Sequence, residues 1–229
     1  MNSREVKDLI LSMGADLCGI ASVDRFANAP EGFRPTDIYP ECKSVIVFAK
    51  KLPESIFYTN SAIPYSFVDD MALHEVLRLS FDITVKLEQS QITALPVPSE
   101  PYDYWDTETM TGKGLLSLKQ AGYLAGLGVI GRNKLLCHPV LGNLIKLGAI
   151  LSNTEFEADP IINGHLCSDN CRLCMNNCPS GAITETGVIQ KRCRSYSEGS
   201  TKKGTPITIC HLCRKICPNR AGWKKSQST

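Results

Sequence analysis

The sequence has no long apolar run. Nothing in it approaches the roughly 18 consecutive apolar residues that cross a bilayer as a helix, so no membrane partner is expected. It also lacks a secretory leader: MNSREVKDLILSMG has neither an apolar core nor a small-residue cleavage site. The cytoplasm is therefore the expected compartment. Net charge is small. Lys and Arg total 25 against 23 Asp and Glu, giving +2 over 229 residues. That argues against a strong nucleic-acid footprint over the whole molecule. No internal repeat or low-complexity tract appears beyond the paired cysteine motifs. The length allows one sizeable domain plus a small appended one, and 43% hydrophobic residues is ordinary for a globular protein.

Cysteine is plentiful and unevenly placed. Of 11 cysteines, Cys18, Cys42 and Cys137 stand singly, and the rest fall between Cys167 and Cys217. A disulfide scaffold needs an oxidising compartment, and no export signal directs the chain to one. Clustered thiols in such a chain more often bind metal. The first motif is CSDNCRLCMNNCP, with Cys167, Cys171, Cys174 and Cys178. The second is Cys193 followed by CHLCRKICP, with Cys210, Cys213 and Cys217. A [4Fe–4S] cube needs one thiolate per iron. In two-cluster ferredoxins the cysteine before proline ligates the other cluster. Applied here, the crossover gives two complete sets: Cys167, Cys171, Cys174 and Cys217, then Cys178, Cys193, Cys210 and Cys213. No cysteine of the segment is left over. Paired zinc sites are the competitor, because C-x₂-C also suits zinc. The C-x₂-C-x₃-C-P run and the two Cys-Pro dipeptides favour iron–sulfur. One spacing, Cys167 to Cys171, is a residue longer than the bacterial ferredoxin pattern.

Ahead of these motifs the pattern alternates helix and strand. A helix is expected from Arg4 to Met13, capped by Ser3 and stopped by Gly14. A strand follows from Asp16 to Val23. SVIVFAK, Ser44 to Lys50, reads as a strand buried on both faces. A long helix is expected from Phe67 to Leu87, a short strand from Ile92 to Pro98, and a loop from Ser99 to Gly112. A further helix runs from Gly114 to Leu124, and a strand lies within Leu141 to Ser152. The acidic EFEADP, Glu155 to Pro160, is the natural boundary. The expected organisation is an α/β (α+β) domain over residues 1–160 and a double-cluster module over 161–229.

Other signals are weaker. Gly126, Gly128 and Gly131 match G-x-G-x-x-G, but a helix precedes them where a dinucleotide fingerprint needs a strand. A glycine turn that lets backbone approach a flat cofactor is the better reading. Tyr102, Tyr104 and Trp105 either line a pocket or pack down their loop. His138 and His211 neighbour cysteines, and His74 reads as surface. The basic residues Lys202, Lys203, Arg214, Lys215, Arg220, Lys224 and Lys225 are either a solvated tail or a docking face for an acidic electron donor or RNA.

With these pieces in order, MGADLCGIA, PECKSVIVFAK, AGLGVIGRNKLL, LGNLIKLGAILS, both cysteine motifs and CRSYS, the chain resembles the epoxyqueuosine reductase family. That family is a cobalamin and double-[4Fe–4S] group related to reductive dehalogenases. The resemblance implies a nitroreductase-like N-terminal domain and a bacterial-ferredoxin-like module. Cobalamin would sit between them and receive low-potential electrons from a ferredoxin- or flavodoxin-type donor through the clusters. FMN is the alternative cofactor. Gly128, Gly131 and Asn133 would lie beside the corrin, and Ser195 would contact it. The catalytic residue stays unassigned. The family's proton-donating aspartate has no counterpart, because Thr111 to Gly114 reads TGKG, and Asp103, Asp106 and Glu108 lie out of register. The helical repeat that grips tRNA in the family is not present in this sequence. A small-molecule or corrinoid substrate is therefore expected, and tRNA is not. The rival readings are a ferredoxin-type carrier with no second cofactor and a flavin-dependent reductase.

Overall fold

The computed structural model describes residues 1–164 and 166–223; Lys224 and Lys225 lie outside the described residues. Helix α1 spans Ser3–Ser12. Its cap is Asn2, where Ser3 was expected. The Asn2 side chain accepts from the Glu5 N–H at 3.0 Å, and the Glu5 carboxylate accepts from the Asn2 N–H at 2.8 Å. This box requires a glutamate three residues past the cap, which only Asn2 has.

Strands β1 (Leu17–Ser22) and β2 (Ser44–Lys51) pair antiparallel. A short helix α2 (Pro35–Ile38) lies between them. The long helix α3 runs Ile63–Gln89, starting before the expected Phe67. It leads to β3 (Ala94–Val97). The segment expected as a loop holds a small hairpin, β4 (Tyr104–Asp106) with β5 (Thr111–Lys113). After it come α4 (Leu118–Leu124), the two-residue strands β6 (Val129–Ile130) and β7 (Leu136–Cys137), and β8 (Ile145–Ser152).

The main sheet has the order β1-β2-β8-β3, and every pairing is antiparallel. The fold is therefore mixed, with helices packed on an antiparallel sheet. The apolar run of β2 follows from its central place. Val45, Val47 and Ala49 face a cluster with Ala121 and Leu124 of α4. Ile46 and Phe48 face Val6 and Ile10 of α1 and Val76, Leu79 and Ile83 of α3. Alternate residues thus enter opposite cores, and neither face meets water.

The acidic boundary segment is anchored back to this domain. Asp159 accepts from Lys7 at 2.5 Å and from the Ile20 N–H at 2.9 Å, and Arg25 donates to its carbonyl at 2.7 Å. Beyond it lie α5 (Leu173–Asn176), α6 (Gln190–Ser197), the hairpin β9 (Glu198–Ser200) and β10 (Pro206–Thr208), and α7 (Leu212–Lys215). Helices α5 and α7 pack together. Strand β10 rests on α3, where the Thr208 N–H donates to Ser66 Oγ at 3.0 Å.

Candidate functional site

The thiols form two groups. Cys167, Cys171, Cys174 and Cys217 line one cavity, walled also by Gly131, Asn133 and Pro218. Cys193 lies within electrostatic reach of Cys178 and Cys210, and Cys213 of Cys193, Cys210 and also Cys174 of the first group. Among the described residues, no three of His, Cys, Asp or Glu crowd closely enough to hold a single ion. The four thiols ring their cavity and do not converge on one point.

The environments of these thiols differ. Burial, then the neighbouring Cys167, Cys171 and Cys217, raises Cys174. Burial pushes Cys213 up to about 11. At Cys178 burial also acts upward, but the Ser180 hydroxyl and the backbone N–H groups of Ile183 and Ala182 outweigh it, and the thiol is lowered. Cys217 is lowered to about 7, first by a hydrogen bond from Cys137. Cys137 is fully buried and raised by the same contact, then by burial. A cysteine that reads as a bystander in the sequence therefore lies near enough to act on the crossover thiol.

The glycine turn connects α4 to β6, a helix before and a strand after, the reverse of a dinucleotide fingerprint. Its glycines have local reasons. A Cβ at Gly128 would collide with the Cys137 carbonyl. One at Gly126, whose φ is +72°, would collide with the Pro160 carbonyl. At Gly131 a Cβ would meet Asn133 Oδ1 at 3.0 Å and Leu166 at 3.1 Å, with Cys167 Sγ at 3.8 Å. Gly131 therefore brings backbone up to the first thiol group. An open groove of about 540 Å³ lies alongside, lined by Gln120, Tyr123, Ile130, Gly131, Arg132 and Leu166 among others.

Asn133 is buried, and both ends of its amide are engaged. Nδ2 donates to the Cys213 carbonyl at 3.0 Å, and Oδ1 accepts from the Leu135 N–H at 3.2 Å. Ser195 sits on α6 with its hydroxyl 3.5 Å from Met110 Sδ, across from the β4–β5 hairpin. That hairpin is clasped to α6. Gln190 exchanges two hydrogen bonds with the Gly112 backbone at 3.0 and 3.3 Å, and Lys191 donates to the Glu108 carbonyl at 2.7 Å. The Arg194 guanidinium stands 4.9 Å from the Tyr102 ring centre and 5.0 Å from that of Trp105, and it donates to the Tyr102 hydroxyl at 2.9 Å. The aromatics therefore pack across α6 while staying partly exposed.

The histidines divide. His74 is exposed. His138 Nδ1 accepts from the N–H groups of Val140 and Leu141, so it organises its own turn. His211 stacks on Tyr65, with ring centres 4.1 Å apart, and burial, then Lys215 and Arg214, lowers its pKa. Reading the sequence did not single out Asn143 or Arg194, and it named Arg214 only as one basic residue of a solvated tail or docking face. The Asn143 amide and the Arg214 guanidinium reach across to each other's backbone carbonyls. Arg214 lies inside the second cysteine motif, but ligand spacing carries no signal for the residues between the ligands.

No family model matches the chain. An epoxyqueuosine reductase of Staphylococcus aureus is 23% identical over 98% of this chain and 66% of its own length. One of Bacillus subtilis is 24% identical over 97% and 65%. The chain thus spans just under two thirds of the length of the curated relatives it matches. Among solved structures, epoxyqueuosine reductase from Streptococcus thermophilus superposes with a TM-score of 0.67 at 20% identity, covering 100% of this chain and 69% of that one. A reductive dehalogenase structure, described as suggesting a mechanism for B12-dependent dehalogenation, gives 0.69 at 18%, covering 94% and 31%. The mixed fold is thus that of epoxyqueuosine reductases and reductive dehalogenases. An epoxyqueuosine reductase held with an epoxyqueuosine-modified tRNA stem loop gives 0.67 at 20%, covering 96% and 66%. That complex overturns the expectation that tRNA is not a partner. A near-zero net charge averages over the whole surface and does not exclude a local RNA contact.

Proposed function

Because the chain is a relative of the epoxyqueuosine reductase family, we propose that it is an iron–sulfur redox enzyme of the epoxyqueuosine reductase type. In this reading, Cys167, Cys171, Cys174 and Cys217 hold one [4Fe–4S] cluster, and Cys178, Cys193, Cys210 and Cys213 hold the other. The carrying observation is that Cys217, from the second motif, lines the same cavity as three thiols of the first. Paired zinc sites remain the competitor, and the C-x₂-C-x₃-C-P run with its two Cys-Pro dipeptides favours iron–sulfur. Residues 1–160 form a nitroreductase-like domain for a second cofactor and substrate, and 161–229 a bacterial-ferredoxin-like module. The anchoring of Asp159 supports a boundary just after it.

The donor set of the first group, four thiols and no competing carboxylate in the cavity, fits soft iron–sulfur ligation. The groove beside Gly131 supports a flat ring bound along the glycine turn, between Tyr123 and Leu166; Ser195 lies against the β4–β5 hairpin and is not part of its wall. Bound there, the clusters supply one-electron transfer and a corrinoid supplies a reducing cobalt centre. The chain's own contributions are its thiolates, of which Cys174 and Cys217 are buried, and the backbone approach at Gly131. The substrate class is an epoxide-bearing nucleoside of tRNA, as in the relatives' names.

Anaerobic reconstitution tests this reading. About eight irons and as many sulfides per chain are expected, together with binding of cob(II)alamin and reduction of epoxyqueuosine in a tRNA stem loop. Near four irons, or zinc in their place, overturns the double-cluster assignment. Binding of FMN without cobalamin overturns the corrinoid part, and binding of neither leaves an electron carrier. Gly131→Ala is the mildest probe of the groove, its Cβ pressing on Asn133 Oδ1 at 3.0 Å and Leu166 at 3.1 Å.

A further inference from the structure

Helix α7 is four residues long, and Pro218 follows it closely. In a continuing helix each carbonyl accepts from the N–H four residues on. Proline has no N–H, so the Arg214 carbonyl has no such donor at position 218. A buried carbonyl left without a donor is destabilising. The structure meets this need from outside the helix. Asn143 Nδ2 donates to the Arg214 carbonyl at 3.4 Å, and Asn133 Nδ2 donates to the adjacent Cys213 carbonyl at 3.0 Å.

Both asparagines are buried, at 7% exposure for Asn133 and 1% for Asn143. Both belong to the segment that includes the glycine turn of the N-terminal domain, and both are held there. Asn133 Oδ1 accepts from Leu135. The Asn143 N–H donates to the Arg220 carbonyl at 3.1 Å, and its own carbonyl accepts from the Arg214 guanidinium. On the far side of Pro218, Asn219 Nδ2 donates to the Leu166 carbonyl at 3.0 Å, next to Cys167. The stretch carrying Cys217 is thus gripped at both ends, and the grip on its α7 end comes from the N-terminal domain.

We propose that Asn133 and Asn143 are positioning residues that aim Cys217 into the Cys167 group: Asn143 supplies the Arg214 carbonyl with the donor that Pro218 withholds, and Asn133 holds the adjacent Cys213 carbonyl. The proposal rests on the double-cluster reading above. It goes beyond it by assigning the crossover to two side chains outside both cysteine motifs. An aspartate at either position is nearly the same size but sets an acceptor against a carbonyl. Rotation of α7 relieves that clash and draws Cys217 away from the first group.

The test uses the full chain, reconstituted anaerobically, with Asn133→Asp, Asn143→Asp and Cys217→Ser compared by iron analysis and electron paramagnetic resonance. Asn143→Asp should lower iron from about eight to about seven per chain and give the three-iron cluster signal that Cys217→Ser gives. Its circular dichroism should stay that of the unaltered protein, which separates misaimed ligation from unfolding. Asn133→Asp should do the same and also alter the signal of the second cluster. If an aspartate variant fails to fold, Asn143→Ser and Asn133→Ser carry the same expectation. Wild-type iron and no three-iron signal in both folded variants overturns the proposal and leaves the double-cluster reading standing. A wild-type chain that takes up no clusters overturns both.

Discussion

Cys217 is the residue on which the two motifs meet, and its chemistry is set by a partner the motifs do not include. The Cys137 thiol, fully buried in β7, hydrogen-bonds to it and lowers it to about 7. A lowered thiol is thiolate above that value and neutral below it, and the thiolate is the nucleophile. In the cluster-free chain, alkylation of Cys217 should therefore rise through a midpoint near 7. Cys137→Val removes the donor, so the midpoint should move up toward the ordinary thiol range and the rate at pH 7 should fall severalfold. Mass spectrometry of the labelled peptide over a pH series reads this, and an unchanged profile would show that the contact is not felt. Cys137→Ser keeps a donor and should keep the full iron content.

At the scale of elements, the β4–β5 hairpin is a small, largely exposed unit tied to α6 by polar contacts. Arg194 is its central tie, lying over two rings and bonded to one of them. Exposed cation–π contacts are worth about 0.5–1 kcal/mol each. Arg194→Ala should therefore leave global stability within about 1–2 kcal/mol while freeing the hairpin locally. Hydrogen exchange should quicken over residues 104–113 and stay slow in β2 and β8. Uniform quickening across the sheet would mean that Arg194 supports the whole fold. The hairpin was expected as a plain loop because strands of three residues carry no readable period. Its pairing depends on Gln190, far along the chain.

For the whole molecule, the proposed double-cluster reading implies that cluster assembly would couple to protons. Ligating thiols must be deprotonated, and Cys174, Cys193 and Cys213 all have pKa values raised chiefly by burial, Cys213 to about 11. These groups are neutral near pH 7 in the cluster-free chain and charged when bound to metal. Cluster uptake should release protons and become more favourable as pH rises. Conversely, chelation at pH 6 should strip iron faster than at pH 8, and the melting temperature should fall with it. A loss rate independent of pH would mean that the thiols are already ionised before binding.

Cysteine spacing and apolar period, both local properties of the chain, determined which residues are candidate ligands and where most elements lie. Ser44 to Lys50 reads as a doubly buried strand because every residue from Val45 to Ala49 is apolar, and that needs no knowledge of its neighbours. Tertiary structure alone decided the rest. The antiparallel order β1-β2-β8-β3 brings together strands far apart in sequence, and alternating helix and strand patterns do not encode it. The same holds for the pairing of Cys137 with Cys217 and for the reach of Asn133 and Asn143 to consecutive carbonyls of α7. A hydrogen bond between residues some 70 or 80 positions apart leaves no periodic trace, since its donor and acceptor meet only after the sheet, the glycine turn and the thiol loops have packed.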